Sequence, residues 1–325
     1  MAGLMEGVVV FIGRCWVAGF FAVLSGAAVA AEHRLDNIGD QAIGQVGYAT
    51  VAHDDTFSAI ARRHGLGFEE IRLANPDMDP WLPLDGAVVT LPSKHLLPIA
   101  PREGVVINIA EYRLYYYGKL EGSNQVITTF PISIGRQEWL TPLGRAKVVS
   151  KRKNPTWFPP KSVIAEHAER GDFLASSVPP GPNNPLGEYS LRLSIPGYLI
   201  HGTNRPAGVG MQVTHGCIRL YPENIEWLFP KVPIGTPVMI VNQPYKFAYV
   251  GDELFFQAYP SLEPEDDAYA RSLTRVMEVF VQVADSTTTK IDWDRIDEAY
   301  QKPTGVPVLV GQRVPVQQVV ADQSL

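Results

Sequence analysis

Hydrophobic and polar positions divide the chain into four stretches of different rhythm. The first is a continuous apolar run, residues 8–12 and 15–24 around Arg14, which passes into the small residues Ser25-Gly26-Ala27-Ala28-Val29-Ala30-Ala31. Ala28-Val29-Ala30 has the small-x-small form of a leader cleavage site, so residues 1–30 are expected to be a secretory signal peptide. An uncleaved anchor is the alternative, for which the run is marginal in length. Residues 31–46 are polar and read as a linker. Between 47 and 93 the rhythm changes within a few residues. Tyr48 to Val51 alternates as a strand, and Asp54-Asp55-Thr56 stands where a helix N-cap belongs. Phe57, Ile60, Ala61 and His64 fall at helical spacing before Gly65. Residues 68–74 predict a second helix ended by Asn75-Pro76, and 86–92 predict a returning strand. The order is β-α-α-β.

Residues 94–102, with Pro98 and Pro101, read as a second linker. From 103 to 243 short alternating runs dominate, at 105–109, 112–117, 126–134, 145–150, 189–193, 198–201 and 237–241. Runs of this kind between Gly/Pro turns predict a mostly β domain, a sandwich or barrel. An aromatic, Pro-rich insertion with Trp157 and Phe158 interrupts them at 154–185, with a short helix expected at 163–170; such long loops are usually functional covers. After 243 the period turns helical. Tyr269, Leu273, Val276, Phe280 and Val283 mark a helix over 264–284, and 291–300 reads as another. Residues 244–325 are therefore expected to be a helical C-terminal region with an extended tail after Pro303.

Composition narrows the function. With 325 residues, 46% of them hydrophobic and 19% charged, the chain has the content of a folded protein of about two domains. Its 28 basic and 34 acidic residues give a net charge of −6 without a basic block, which disfavours nucleic acid as a partner. The two cysteines are Cys15 and Cys217. Loss of the leader leaves Cys217 alone, unable to form an internal disulfide and either buried and inert or kept for reactivity.

Cys217 lies in the most informative segment, His201-Gly202-Thr203-Asn204 followed by Thr214-His215-Gly216-Cys217-Ile218-Arg219-Leu220. Three readings fit these residue types: a Cys–His nucleophile, a metal held by His201, His215 and Cys217, and a structural cysteine. The H-x13-H-x-C spacing is not a common zinc pattern and lacks a fourth ligand.

Two resemblances bear on the choice. Tyr48, Val51, Asp55-Thr56-Phe57, Ile60-Ala61, Gly65, Leu73, Asn75-Pro76, Gly86 and Leu91-Pro92 resemble the LysM signature, with Asp54 and Phe57 departing from its usual Gly and Leu. That resemblance implies binding of peptidoglycan glycan strands. The Cys217 segment resembles the signature of the L,D-transpeptidase (YkuD) catalytic domain: a His, a spacer, then [Ser/Thr]-x-Gly-Cys with an Arg or Asn shortly after. Ile107-Asn108, Arg113-Leu114-Tyr115, residues 130–135, Thr141-Pro142-Leu143-Gly144 and Pro185-Leu186-Gly187 add further family marks in order. With the LysM-like stretch, the chain is most similar to the periplasmic ErfK/YbiS/YcfS/YnhG group of Gram-negative bacteria. The resemblance implies that Cys217 attacks the bond between meso-diaminopimelate and D-Ala of a tetrapeptide stem, and that the thioester passes to an amine. That amine is another diaminopimelate, for a 3-3 cross-link, or a Lys of an outer-membrane lipoprotein. It also implies His201 as base and acid, with Gly202 supplying the carbonyl that orients it. His215 is the rival base or a pocket residue, and Gly216 and Cys217 are oxyanion donors. Arg219, Thr214, Asn204 and Trp157 are expected on the substrate side. No cofactor or metal is implied, and the mature form is expected to lack a membrane span. The alternatives are an L,D-carboxypeptidase using the same residues and an inactive wall-binding protein.

Overall fold

The computed structural model describes residues 31–314, except 36, 38, 120–123, 263–267, 270–271 and 284–288. The expected leader at 1–30 lies outside the described residues. Chain order begins with β1 (Ala31–Leu35) and β2 (Ala42–Ile43), followed by β3 (Gly47–Thr50), α1 (Phe57–Arg63), α2 (Phe68–Ala74) and β4 (Val88–Leu91). Next come β5 (His95–Leu96), β6 (Gly104–Asn108), β7 (Arg113–Tyr117), β8 (Gln125–Pro131), β9 (Ile134–Gly135) and β10 (Gly144–Lys153). α3 (Lys161–Glu169), β11 (Tyr189–Leu193), β12 (Leu199–His201), β13 (Gln212–Thr214), β14 (Ile218–Arg219), α4 (Pro222–Lys231) and β15 (Pro237–Val241) complete the middle of the chain. The C-terminal part holds β16 (Tyr245–Val250), β17 (Glu253–Ala258), α5 (Leu273–Val283), β18 (Thr289–Ile291), α6 (Trp293–Gln301) and β19 (Val308–Arg313). No helix among the described residues is long and apolar enough to cross a membrane.

A nine-stranded sheet in the order β1-β8-β7-β6-β15-β10-β11-β12-β14 carries the mostly β fold. Two pairings are parallel, β15 with β6 and β12 with β14. Strand alternation sends side chains to two separate cores. Val105 and Ile107 join Leu114, Phe130, Ile200, Ile218 and Leu220 on one face, where Ile225 and Leu228 of α4 close it. Val106 joins Tyr115, Tyr117, Ile127 and Leu35 on the other.

The supposed linkers are structured. β1, within residues 31–46, is an edge strand running antiparallel to β8, from Ala31 opposite Thr129 to Leu35 opposite Gln125. β2 pairs with β5, which falls in the supposed linker 94–102. The C-terminal region also departs from the helical expectation. Its core is a four-stranded sheet, β16-β17-β19-β18, covered by the two helices. Phe247 stacks on Phe256 at 4.5 Å, and Phe280 of α5 packs edge-on against Phe247. The supposed tail contains β19, which lies between β17 and β18 in that sheet.

Residues 47–93 do form a β-α-α-β unit. Thr56 caps α1 by accepting from the Ala59 N–H. Asn75 locks α2 to the returning strand: its amide donates to the Ile71 and Thr90 carbonyls, and its oxygen accepts from the Thr90 N–H. This unit packs firmly on the main sheet. Glu70 and Arg113 form a buried bidentate ion pair at 2.7–2.8 Å. Phe68 and Glu69 donate their N–H groups to the carbonyls of Val209 and Gly210, and Arg62 pairs with both oxygens of Glu223. The C-terminal unit is joined in a similar way, by Lys246 donating to Glu111 (2.5 Å) and to the Leu96 carbonyl.

Candidate active site

β12 and β14 bring the Cys217 segment together. They run parallel, with Ile200 opposite Ile218 and His201 opposite Arg219. Ile200, Ile218 and Leu220 point into the sheet core. By alternation His201, Arg219 and Cys217, one residue ahead of β14, face the opposite side. The turn before Cys217 is tied at several points. Gly216 has φ +96°, and a Cβ there would stand 2.7 Å from the Tyr198 ring, so only glycine fits. The Gly135 N–H donates to Thr141 Oγ1, which donates to the Gly216 carbonyl; both distances are 3.0 Å. Thr214 Oγ1 donates to the Cys217 carbonyl at 2.6 Å. Arg219 exchanges two backbone hydrogen bonds with Ser133.

His201 is buried, with Nδ1 2.6 Å from the Gly202 carbonyl. A proton on Nδ1 satisfies that carbonyl and puts the ring's lone pair on Nε2. Burial, helped by the Arg219 charge, pulls the His201 pKa down to about 3, against the pull of the Gly202 and Leu186 carbonyls. The ring is therefore neutral near pH 7. Cys217 is partly exposed, with its sulfur 3.7 Å from the Gly197 carbonyl. Burial pushes its thiol pKa up, while the Leu199 N–H and the Arg219 charge act in the opposite direction. At rest Cys217 is a thiol and His201 a neutral imidazole, both under the field of Arg219. Burial lowers the pKa of Arg219, and the neighbouring Arg205 adds to the effect. Its Nε is buried with no hydrogen-bond partner.

His215 has a different environment. Its Nε2 lies 2.8 Å from Glu166 Oε2, and the Trp139 ring meets it edge-on with centroids 5.3 Å apart. Arg136 donates to both Glu166 oxygens at 2.8 Å, and Arg170 donates to Oε1 at 2.6 Å. Hydrogen bonds from Arg136 and His215 hold the Glu166 carboxyl at a pKa of about 2, so it is ionised. An ionised acceptor requires the proton of His215 on Nε2.

The segment from His201 to Leu220 itself holds no Asp or Glu. Glu166 reaches it from α3, 49 residues before His215. Only the short helix at 163–170 hinted at it. Of the other expected residues, Thr214 lies against the Cys217 backbone. Asn204 donates to the Pro182 carbonyl and so ties its loop to the insertion. Trp157 exchanges backbone hydrogen bonds with Val178 inside the insertion, and Glu166 of the insertion reaches His215. Among the described residues no group of three or more His, Cys, Asp or Glu side chains could hold a metal ion.

Comparison with known proteins gives this geometry its context. The profile of the L,D-transpeptidase catalytic domain, YkuD, matches residues 102–240. The chain is 36% identical over 298 residues to a probable L,D-transpeptidase, YbiS, of Escherichia coli, covering 90% of this chain and 96% of that one. The chain belongs to the L,D-transpeptidase family. A second relative of this family in Escherichia coli, the probable L,D-transpeptidase YcfS, is 45% identical over 213 residues, which is 64% of this chain and 66% of that one. The crystal structure of L,D-transpeptidase 3 from Mycobacterium tuberculosis matches at 20% identity and a TM-score of 0.31, covering 48% of this chain and 75% of that one. Within the L,D-transpeptidase domain of this chain, residues 201–219 occupy β12, β13, β14 and their connections.

Proposed function

We propose that this peptidoglycan L,D-transpeptidase works through a Cys217 thioester, with His201 as base and then acid. The supporting observation is the neutral, buried His201, with Nδ1 committed to the Gly202 carbonyl, on the same strand face as a partly exposed Cys217. The resting thiol and low-pKa imidazole disfavour a standing ion pair. The proton therefore leaves sulfur for Nε2 as sulfur meets the carbonyl carbon between diaminopimelate and D-Ala. The Gly216 and Cys217 N–H groups receive the developing oxyanion, a contribution of roughly 3 kcal/mol per donor. The imidazolium returns its proton to the departing D-Ala amine. An amine then displaces sulfur from the thioester, either a diaminopimelate side chain or a Lys of an outer-membrane lipoprotein.

The β-α-α-β unit at 47–93 is the glycan-binding part in this reading, a LysM module. Trp81, Leu82, Leu84 and Tyr48 on its surface are all more than half exposed. With a leader at 1–30, the site of action is the periplasm.

Incubation with a carbapenem and intact-mass measurement tests the mechanism. One covalent adduct is expected on the native chain and none on Cys217→Ala. A native chain that takes no adduct yet sediments with wall sacculi is a binding protein only. Mass spectrometry of products from purified tetrapeptide-bearing peptidoglycan then separates cross-linking from carboxypeptidase action.

A further inference from the structure

We infer that Arg136 and His215 form a subsite for the terminal carboxylate of the donor stem peptide, and that Glu166 of α3 fills this subsite in the free enzyme. The inference deepens the proposed function and rests on it for the identity of the substrate.

Arg136 and His215 are brought side by side by a small parallel pairing. Each directly follows a strand, Arg136 after β9 and His215 after β13, and Thr214 stands opposite Gly135. The Arg136 guanidinium lies 3.1 Å from His215 Nε2. Two nitrogens that both carry protons come this close because one carboxylate accepts from both. Without Glu166, their N–H groups would converge on one empty position. Arg136 has spare capacity as well, since its Nε is buried with no hydrogen-bond partner. Such a fork suits a carboxylate.

The occupant observed is a weakly fixed one. Of α3, only Val163 is buried, so the helix meets this part of the sheet mainly through the Glu166 charge. Its partner on its own helix, Arg170, moves with it. A helix held in this way can be displaced by a ligand that brings an equivalent carboxylate.

The donor brings one to the right place. His215 is two residues from the nucleophile. In a tetrapeptide stem only the amide nitrogen and one α-carbon separate the scissile carbonyl from the terminal D-Ala carboxylate. That group lies nearer the scissile carbonyl than any other carboxylate of the stem, as His215 lies near Cys217 along the chain. Binding there would lift α3 and place the scissile bond in the same event.

The test is calorimetry on full-length Cys217→Ala, with and without Glu166→Gln, titrated with a tetrapeptide stem and with its C-terminal amide. Thermal unfolding of each variant checks the fold. Removing the competing charge is expected to tighten binding of the free acid about fivefold or more, equivalent to at least ~1 kcal/mol, and to leave the amide unchanged. In the same background His215→Gln is expected to weaken the acid selectively. Equal effects on acid and amide, or weaker acid binding in Glu166→Gln, would overturn the subsite. D-Ala release by the native chain is measured in parallel. Its absence would sink the catalytic reading, whereas the calorimetry still reports on the carboxylate site.

Discussion

Glu70 and Arg113 face each other across the seam between the N-terminal unit and the main sheet, with side chains only 2% and 1% exposed. The guanidinium also donates to the Thr129 hydroxyl and the Gly65 carbonyl, so each charge is enclosed by partners. Loss of one partner strands the other charge in the interior. Glu70→Met or Arg113→Met is expected to cost about 3–5 kcal/mol, and the combination of the two much less than the sum. Denaturant unfolding of the four proteins measures this. Additive losses would mean that the two side chains do not act as a pair.

Gly216 is the second position where a small change should have a large effect. Its φ of +96° and the Tyr198 ring 2.7 Å from an added Cβ both oppose alanine. Gly216→Ala is expected to cost about 1–3 kcal/mol in stability and to slow carbapenem acylation well beyond what that loss explains. Acylation rates followed by mass spectrometry, beside melting curves, separate the two effects.

The state of the resting thiol can be read from its pH dependence. Burial raises the Cys217 pKa, so alkylation by iodoacetamide should keep accelerating above the ordinary thiol value of about 8.5. A rate already level at pH 7 would show a preformed thiolate and contradict the protonated resting thiol described above.

His201 should leave a mark on acid stability. Its pKa is about 3 when folded, against 6.5 as the ordinary value. Between those values the unfolded chain binds the proton and the folded one does not, so stability rises with pH in that window and is lost as the pH falls through it. His201→Gln is expected to flatten the dependence of unfolding free energy on pH between about 6.5 and 3, whatever it does to stability at neutral pH. An unchanged slope would mean that the ring protonates normally in the fold.

Gly210 tests the link between the N-terminal unit and the loop that joins β12 to β13. A Cβ on it would stand 2.3 Å from the Phe68 nitrogen, whereas one on Gly65, also at positive φ, meets nothing within 4 Å. Gly210→Ala is expected to lower stability and to slow Cys217 acylation, although no residue of the Cys motif changes. Gly65→Ala, with comparable backbone strain alone, is expected to leave acylation near the native rate. Equal rates in both variants would show that the seam does not reach Cys217.

What could be read from sequence had local causes. The β-α-α-β order followed from a cap, a helical period and Asn75-Pro76, all within a few residues of the elements they define. Other features depended on distant partners. β1 carries Glu32, His33 and Arg34, and only its pairing with β8 makes that polar stretch a strand. In the C-terminal sheet, β19 is a strand through its pairing with β17, far earlier in the chain, and Lys246, the second residue of β16, is tolerated in the interior because Glu111 neutralises it. Glu166 lay in an expected short helix, but nothing near residue 166 indicates a histidine 49 positions on.

The seam at α2 has one further consequence. The residues that accept its N–H groups, Val209 and Gly210, lie on the loop joining β12 to β13, between His201 and Cys217. The N-terminal unit is therefore docked on this loop by main-chain hydrogen bonds and not merely tethered to the sheet. A polymer gripped on its outer face would meet the sulfur at one set offset, so the spacing of successive bonds along that polymer would be dictated by the dimensions of the enzyme.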